Sequence, residues 1–345
     1  MNSQFIIENN KPLKVALLLL EKYPNNQTLM VIENNKLVGV LTDGDIRRGL
    51  LKGLNQNDLV SKFMSKDFFY LQKDNFNLEQ IESIKAKKIK KIPIINPDGS
   101  LFDILDLKKF KTILPIDAVI MAGGIGSRLM PLTKNTPKPM LKVGEKPILD
   151  YNIELLKSYG IKNITISVKY LKEVIIDYYK SKPNLGVNLN YITEDKPLGT
   201  IGAVKQIESF ANDYILVMNS DLLTNINLEA MFNTLKSQNA DMIVASTNYK
   251  VQIPYGVIES KDHKVTRIVE KPTYTYYSSA GIYILKKELI DLIPDNEFFN
   301  ATDLLDKLFE LGKTVAHYPI KKYWLDIGNH VDYEKANEEV NNIQF

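Results

Sequence analysis

Apolar positions along the chain follow two rhythms. Runs such as Ala118 to Ala122 and Tyr214 to Met218 are short and unbroken, as strands covered on both faces are. Segments such as Ile148 to Tyr159 and Leu228 to Gln238 instead return an apolar residue every third or fourth place, the period of a helix with one buried face. From residue 117 onward the two alternate. Strands are predicted at Ala118 to Ala122, Ile164 to Val168, Leu189 to Thr193, Tyr214 to Met218 and Asp241 to Thr247. Helices are predicted at Ile148 to Tyr159, Leu171 to Tyr179, Ala203 to Ser209, Leu228 to Gln238 and around Val331 to Val340. Such alternation predicts an α/β domain: a mostly parallel sheet with helices on both faces, binding ligands at the carboxyl ends of its strands.

The first third of the chain carries a smaller pattern, and carries it twice. Pro12 to Lys22 reads as a helix, and Thr28 to Ile32 and Leu37 to Thr42 as strands around an Asn34-Asn35 turn. Asp43-Gly44-Asp45 then opens a helix whose first turn Asp45 caps or charges. Leu78 to Ile89, Lys91 to Ile95, the turn Pro97-Asp98-Gly99 and Leu101 to Leu105 repeat the order. Laying Gly39 on Asp103 also lays Val31 on Ile95 and Thr42 on Asp106, so the halves should pack as a pseudo-twofold pair. Leu114-Pro115 closes the pattern. The expected division is a small α+β domain at 1–114 and the α/β domain at 115–345, which a length of 345 residues permits.

Composition removes several classes of function. With 44% hydrophobic and 25% charged residues the chain is that of a folded globular protein. Its 44 basic and 41 acidic residues leave a net charge of +3, too even a balance for a nucleic-acid or anionic-membrane binder. The absence of cysteine excludes disulfides and thiolate metal sites and fits a reducing compartment. The longest early apolar run, Val15 to Leu20, is too short for a signal core or a membrane span. A cytoplasmic protein with neither nucleic acid nor membrane as partner is expected. His263, His317 and His330 lack metal-site spacing and read as surface or packing residues.

The strand at Ala118 to Ala122 ends on Gly123-Gly124-Ile125-Gly126, followed by Ser127 and Arg128. Glycines there let backbone N–H groups come close to a phosphate, and Arg128 adds a forked, permanent cation. Lys138 stands between Pro137 and Pro139, which favour an extended backbone and help to aim its ammonium. A dinucleotide fingerprint fails because Leu129 occupies the third glycine position of G-x-G-x-x-G, and no Walker string is present. A lone G-G-x-G is an ordinary turn. The full order, G-G-I-G-S-R with P-L-T and P-K-P after it, resembles the signature of the sugar-1-phosphate nucleotidyltransferases.

That resemblance implies nucleotide contacts from Ala122, Gly123, Gly124, Gly126, Ser127 and Arg128, with Arg128 steadying the leaving pyrophosphate and Lys138 the charge developing at the α-phosphate. Asn219-Ser220-Asp221 and Trp324-Leu325-Asp326-Ile327-Gly328 resemble the family's metal-binding pair. Asp221 and Asp326 would then hold Mg²⁺, a hard cation suited to oxygen ligands, with Asn219 beside the nucleotide. Taken singly, an aspartate after a strand is more often a turn former or a cap. Glu270-Lys271-Pro272 resembles the family's E-K-P string, in which Glu270 would accept sugar hydroxyls and Lys271 would meet the sugar phosphate. Tyr255-Gly256-Val257-Ile258-Glu259 and Ser279-Ala280-Gly281-Ile282-Tyr283 resemble its sugar-pocket strands, with Gly256 and Ser279 at the sugar and glycine leaving room for a pyranose ring.

Glu194 bears on the base. Where the thymidylyl branch of the family carries a glutamine five residues before the glycine matching Gly199, this chain has a carboxylate. An ionised carboxylate only accepts hydrogen bonds, and guanine alone offers two adjacent donors. GTP is therefore predicted, with Gly199 and Thr200 also at the nucleotide. The alternative is that Glu194 points to solvent and the backbone near Gly199 selects the base. The family reaction is in-line attack of a sugar 1-phosphate on the α-phosphorus, with pyrophosphate leaving.

In the first domain, L-V-G-V-L-T-D-G-D-I-R-R and P-I-I-N-P-D-G-S-L-F-D-I-L-D-L resemble a pair of cystathionine-β-synthase (CBS) motifs, the Bateman module. By that resemblance Thr42, Asp45 and Arg47 would serve an adenine nucleotide. In the second half Asp106 replaces the threonine and Lys109 the aspartate, so at most one nucleotide site is expected. A dimerising module with no ligand is the competing reading, and a homo-oligomer, dimer or higher, is expected. The domain order resembles bacterial guanylyltransferases of cell-surface sugar pathways, among them those acting on glucosamine 1-phosphate in legionaminic acid synthesis. Mannose 1-phosphate and heptose 1-phosphate stay open, as do a thymidylyl- or uridylyltransferase and a non-catalytic nucleotide-sensing regulator. The chain ends soon after the helix around Val331 to Val340, so no acetyltransferase tail and no second activity are expected.

Overall fold

The computed structural model describes residues 3–24, 27–73, 75, 78–107, 110–182 and 185–343. The chain divides into two compact units, Met1–Thr112 and Ile113–Phe345. The first builds one motif twice: β1 (Ile6–Glu8), α1 (Leu13–Lys22), β2 (Thr28–Glu33), β3 (Lys36–Thr42) and α2 (Asp43–Leu51), then β4 (Leu71–Gln72), α3 (Leu78–Ala86), β5 (Lys91–Ile95) and β6 (Leu101–Asp106). In each half the first strand runs parallel and the third antiparallel to the middle one. The register slips at Val31/Ile32 and at Ile94/Ile95, places that correspond to within one residue under the repeat. β1 and β4 escape the sequence reading because two or three residues carry no period. α3 stops at Ala86 rather than Ile89, and Lys88 just beyond it takes a φ of +60°. Leu13, Ala16, Leu29, Val31, Leu41 and Ile46 form the core of the first half.

The second unit begins with β7 (Ile116–Ala122) and continues through a two-residue hairpin, β8 (Lys142–Val143) and β9 (Lys146–Pro147). Then come α4 (Ile148–Ser158), β10 (Asn163–Val168), α5 (Lys172–Lys180), β11 (Asn188–Thr193), β12 (Tyr214–Asn219), β13 (Leu222–Thr224) and α6 (Leu228–Ser237). The last part holds β14 (Met242–Gln252), β15 (Val257–Lys261), β16 (Lys264–Val269), β17 (Thr273–Lys286), α7 (Ala301–Glu310), β18 (Val315–Pro319), β19 (Trp324–Asp326) and α8 (His330–Glu339). Seven strands form the central sheet in the order β11-β10-β7-β12-β17-β14-β18, all parallel except β17. Val119, Val217, Met242 and Leu285 on one face pack with Ala301, Leu304 and Leu308 of α7. Among the described residues no helix is long and apolar enough to cross a membrane.

Three expectations change. The helix expected at Ala203 to Ser209 is a tight 3₁₀ segment, Gly202–Gln206. A Cβ on Gly202 would lie 2.8 Å from Glu297 O, so this segment lies close against the chain before α7. The strand expected to end at Thr247 runs to Gln252 and pairs with the first half of β17. That outer part is a ribbon of two strands, because β12 pairs with β17 only from Met218 back to Tyr214 and β18 pairs with β14 only as far as Ser246. Tyr249 and Val251 face Tyr276 and Tyr274 across it, so one side of the ribbon is largely aromatic, and all four are exposed. Gly256 precedes β15 instead of lying in a strand.

Candidate active site

A small apolar cluster fixes the segments that carry charge. Leu129, Leu141, Val143, Ile148, Leu223, Leu325 and Ile327 pack together and are buried. Leu129 follows Arg128, Leu223 lies two residues after Asp221, and Leu325 and Ile327 flank Asp326, so burying these side chains places the charges beside them. β13 and β19 pair antiparallel, setting Leu222 opposite Asp326, and Ile327 N–H donates to Asp221 O at 3.1 Å. The Asn152 amide donates to Ser220 O at 3.1 Å, tying the same turn to α4. Sequence reasoning found the two acids about a hundred residues apart; the structure brings them together.

Lys138 joins them. Its ammonium donates to Asp221 Oδ2 and stands 3.9 Å from Asp326 Oδ1. Burial first, and then the Asp221 charge, push the Asp326 carboxyl up to about 6, against the pull of Lys138 and Arg128. Asp221 Oδ1 and Asp326 Oδ1 are buried without a hydrogen-bond partner. Two orphaned carboxylate oxygens, one just before β13 and one at the end of β19, suit a hard divalent cation. Among the described residues no group of three or more His, Cys, Asp or Glu gathers, so water and phosphate oxygens would have to complete its shell. Arg128 is exposed, with its guanidinium against Gly328, where a Cβ would come within 3.6 Å of Nη1.

A cleft of about 520 Å³ opens at the carboxyl ends of β7, β10 and β12. Gly123, Gly124, Gly126, Ser127, Arg128, Lys138, Glu194, Gly199, Thr200, Asn219 and Asp221 all line it. Gly126 has a φ of +68°, and a Cβ there would meet Lys138 Cβ at 3.0 Å; the Thr133 hydroxyl donates to Gly126 O at 2.9 Å. The P-L-T threonine and the P-K-P lysine thus hold the glycine turn in shape. Glu194 does not point to solvent. It is 6% exposed, with Oε1 accepting from Ser167 Oγ at 2.5 Å and Oε2 from Leu198 N–H at 3.1 Å. Thr200 Oγ1 accepts from Ala301 N–H at 2.9 Å, so this hydroxyl serves the start of α7.

Other predicted residues lie elsewhere. Ala122 is buried at the end of β7 and does not line the cleft. Gly256, Glu270 and Lys271 are exposed beyond the ends of β15 and β16, outside the residues that line the cleft. The room at Gly256 faces Glu270, whose Oε2 would be 3.0 Å from a Cβ there. The room at Gly281 is filled as well: a Cβ would meet Asn219 Nδ2 at 2.6 Å. Ser279 Oγ shares a hydrogen bond of 2.9 Å with the Tyr283 hydroxyl and does not line the cleft. Lys169 and Phe298, which also line the cleft, are among those that escaped the sequence reading. Lys169 follows the last residue of β10, where the strand-end rule could have found it; Phe298, 62% exposed, lies in an irregular loop with no pattern to betray it.

In the first unit, Thr42, Asp45 and Arg47 line a cavity of about 600 Å³ with Lys88, Lys90 and Phe68. Asp45 is already engaged: Oδ2 accepts from Thr42 N–H and from its hydroxyl, and Oδ1 from Arg48 at 2.6 Å. Asp106 does not line this cavity, and Lys109 lies outside the described residues.

Residues 1–52 match the model of the CBS domain, and residues 117–343 that of the nucleotidyl transferase family. A mannose-1-phosphate guanyltransferase from Yarrowia lipolytica is 32% identical over 226 residues, 62% of this chain; the chain spans 61% of that relative's length. A D-glycero-alpha-D-manno-heptose 1-phosphate guanylyltransferase from Aneurinibacillus thermoaerophilus is 32% identical over 228 residues, covering 65% of this chain and 98% of its own. Among solved structures, HddC from Yersinia pseudotuberculosis complexed with GMP-PN is 31% identical with a TM-score of 0.50, covering 65% of this chain and 99% of its own. With the family model spanning about two thirds of its length, the chain belongs to the nucleotidyl transferase family.

Proposed function

We propose that the chain joins a nucleoside monophosphate, GMP from GTP, to a sugar 1-phosphate. A phosphate oxygen of the sugar 1-phosphate attacks the α-phosphorus in line, the bond from that phosphorus to the β-bridging oxygen breaks, and pyrophosphate leaves. The observation that carries this reading is the meeting of Lys138, Asp221 and Asp326 at the edge of the cleft lined by the glycine turn and Arg128. Such chemistry needs positioning and charge neutralisation rather than a covalent intermediate. The Gly123 to Ser127 turn offers N–H groups to the phosphates, Arg128 faces the departing pyrophosphate, and Lys138 meets charge at the α-phosphate. Asp221 and Asp326 would hold Mg²⁺, which when bound neutralises phosphate charge. Phe298 adds an exposed aromatic side chain to the lining of the cleft. Glu194 retains acceptor capacity on each oxygen beyond its two internal bonds, so the guanine reading survives its burial.

For the sugar, glucosamine 1-phosphate is favoured on domain order, for a cell-surface sugar pathway, with mannose and heptose 1-phosphates as competitors. Pyrophosphate release across these three with GTP, dTTP, UTP and ATP is the test: GTP with one of them should turn over fastest by at least about tenfold. A preference for dTTP or UTP refutes the base assignment, and no release with any pair favours a non-catalytic regulator. Lys271 and Glu270 keep their assigned sugar roles only if substrate reaches β15 and β16.

The cavity in the first unit is proposed to take an adenine nucleotide, on the strength of its basic side chains and Phe68. Calorimetric titration of the full chain with AMP and ATP should give heat that Arg47→Glu removes. Heat unchanged by that substitution places any binding elsewhere.

A further inference from the structure

Lys138 sits where a cation would. Its ammonium donates to Asp221 Oδ2, but at 3.9 Å from Asp326 Oδ1 it is within ion-pair range and too far for a hydrogen bond. One monopositive group therefore faces two carboxylates and satisfies a single oxygen, leaving an Oδ1 on each aspartate buried without a partner. The stem of the side chain is confined. Lys138 is 9% exposed, and at Gly126 a Cβ would already lie 3.0 Å from Lys138 Cβ and 3.5 Å from its Cδ. Lys138 also lines the cleft, so rotation about its outer bonds would carry the ammonium from the carboxylates towards it.

Resting on the reading of Asp221 and Asp326 as metal ligands, we infer that Lys138 is a built-in placeholder for the divalent cation. In the nucleotide-free protein its ammonium offsets part of the charge of the carboxylate pair. A divalent ion taking those oxygens brings twice the charge against the ammonium and drives it out, and the nearest alternative anion is the phosphate chain in the cleft. Cation binding and the delivery of Lys138 to the reacting phosphate then become one exchange. The bare protein should hold a divalent cation weakly, because the ion must first evict a partner. With a nucleotide present the evicted ammonium gains a new one.

The probe is Mn²⁺, titrated into the full chain without nucleotide, with free ion read by electron paramagnetic resonance. Lys138→Met is expected to bind Mn²⁺ about tenfold tighter or more than the unaltered protein, on the scale of couplings between close charges. Equal or weaker binding overturns the inference. Asp326→Asn, measured alongside, separates this failure from failure of the metal assignment. If it weakens Mn²⁺ binding while Lys138→Met does not strengthen it, the placeholder falls and the ligands stand. If it changes nothing, both fall. Should circular dichroism show Lys138→Met unfolded, the unaltered protein supplies a second measurement. Acetylation of Lys138 by acetic anhydride, followed by mass spectrometry, should quicken when Mn²⁺ is added, and no change would overturn the exchange.

Discussion

Lys138→Ala is expected to lower kcat for pyrophosphate release by a hundredfold or more, about 2.7 kcal/mol of transition-state stabilisation, the scale of one lost donor at a developing oxyanion. The KM for GTP should move much less, because Arg128 and the glycine turn still hold the rest of the triphosphate. That split between kcat and KM marks an interaction made chiefly in the transition state. A fall in kcat could also come from collapse of the Asp221–Asp326 pair once its counter-charge is gone. The melting temperature in saturating magnesium distinguishes the two: a melting curve near that of the unaltered protein, with kcat lost, assigns the effect to chemistry. Near-normal kcat in a folded Lys138→Ala protein ends the assignment.

Adjacent glycines are expected to fail in different ways. A Cβ on Gly123 would lie 2.6 Å from Glu194 Oε1 and 3.1 Å from its Cδ. Glu194 cannot swing aside without breaking its bonds to Ser167 Oγ and Leu198 N–H, so Gly123→Ala should destabilise the fold by about 1–3 kcal/mol, the cost of overpacking. At Gly124 nothing lies within 4 Å of the added carbon, and the residue lines the cleft. Gly124→Ala should therefore melt as the unaltered protein does while raising the KM for GTP, because the methyl enters space a phosphate would fill. Differential scanning calorimetry of both variants checks the contrast, and equal melting temperatures would remove the packing argument.

Much of this was legible in the sequence, for identifiable reasons. Strands buried on both faces, such as Ile116–Ala122, leave unbroken apolar runs, and glycines that must approach a partner closely have no substitute. Asp221 and Asp326 could be named from their strings, but their meeting depends on β13 pairing with β19, a contact between distant segments that no local pattern encodes. The destination of Glu194 was open because a carboxylate after a strand reads alike whether it faces water or a serine hydroxyl. Gly281 was open on the same ground, since a glycine shows that space is needed but not that Asn219 is what stands next to it.

β17 carries a mechanical consequence. Its fourteen residues begin in the exposed ribbon at Thr273 and end in the middle of the central sheet at Lys286, passing Asn219 at Gly281 on the way. The register of β14 against β17 breaks at Val244/Ser246, and Gly281 packs on Asn219, so a tilt of the ribbon there would reach the cleft through that contact. The ribbon and the cleft are thus joined by one continuous strand, with Gly281 at the place where it passes the cleft-lining Asn219.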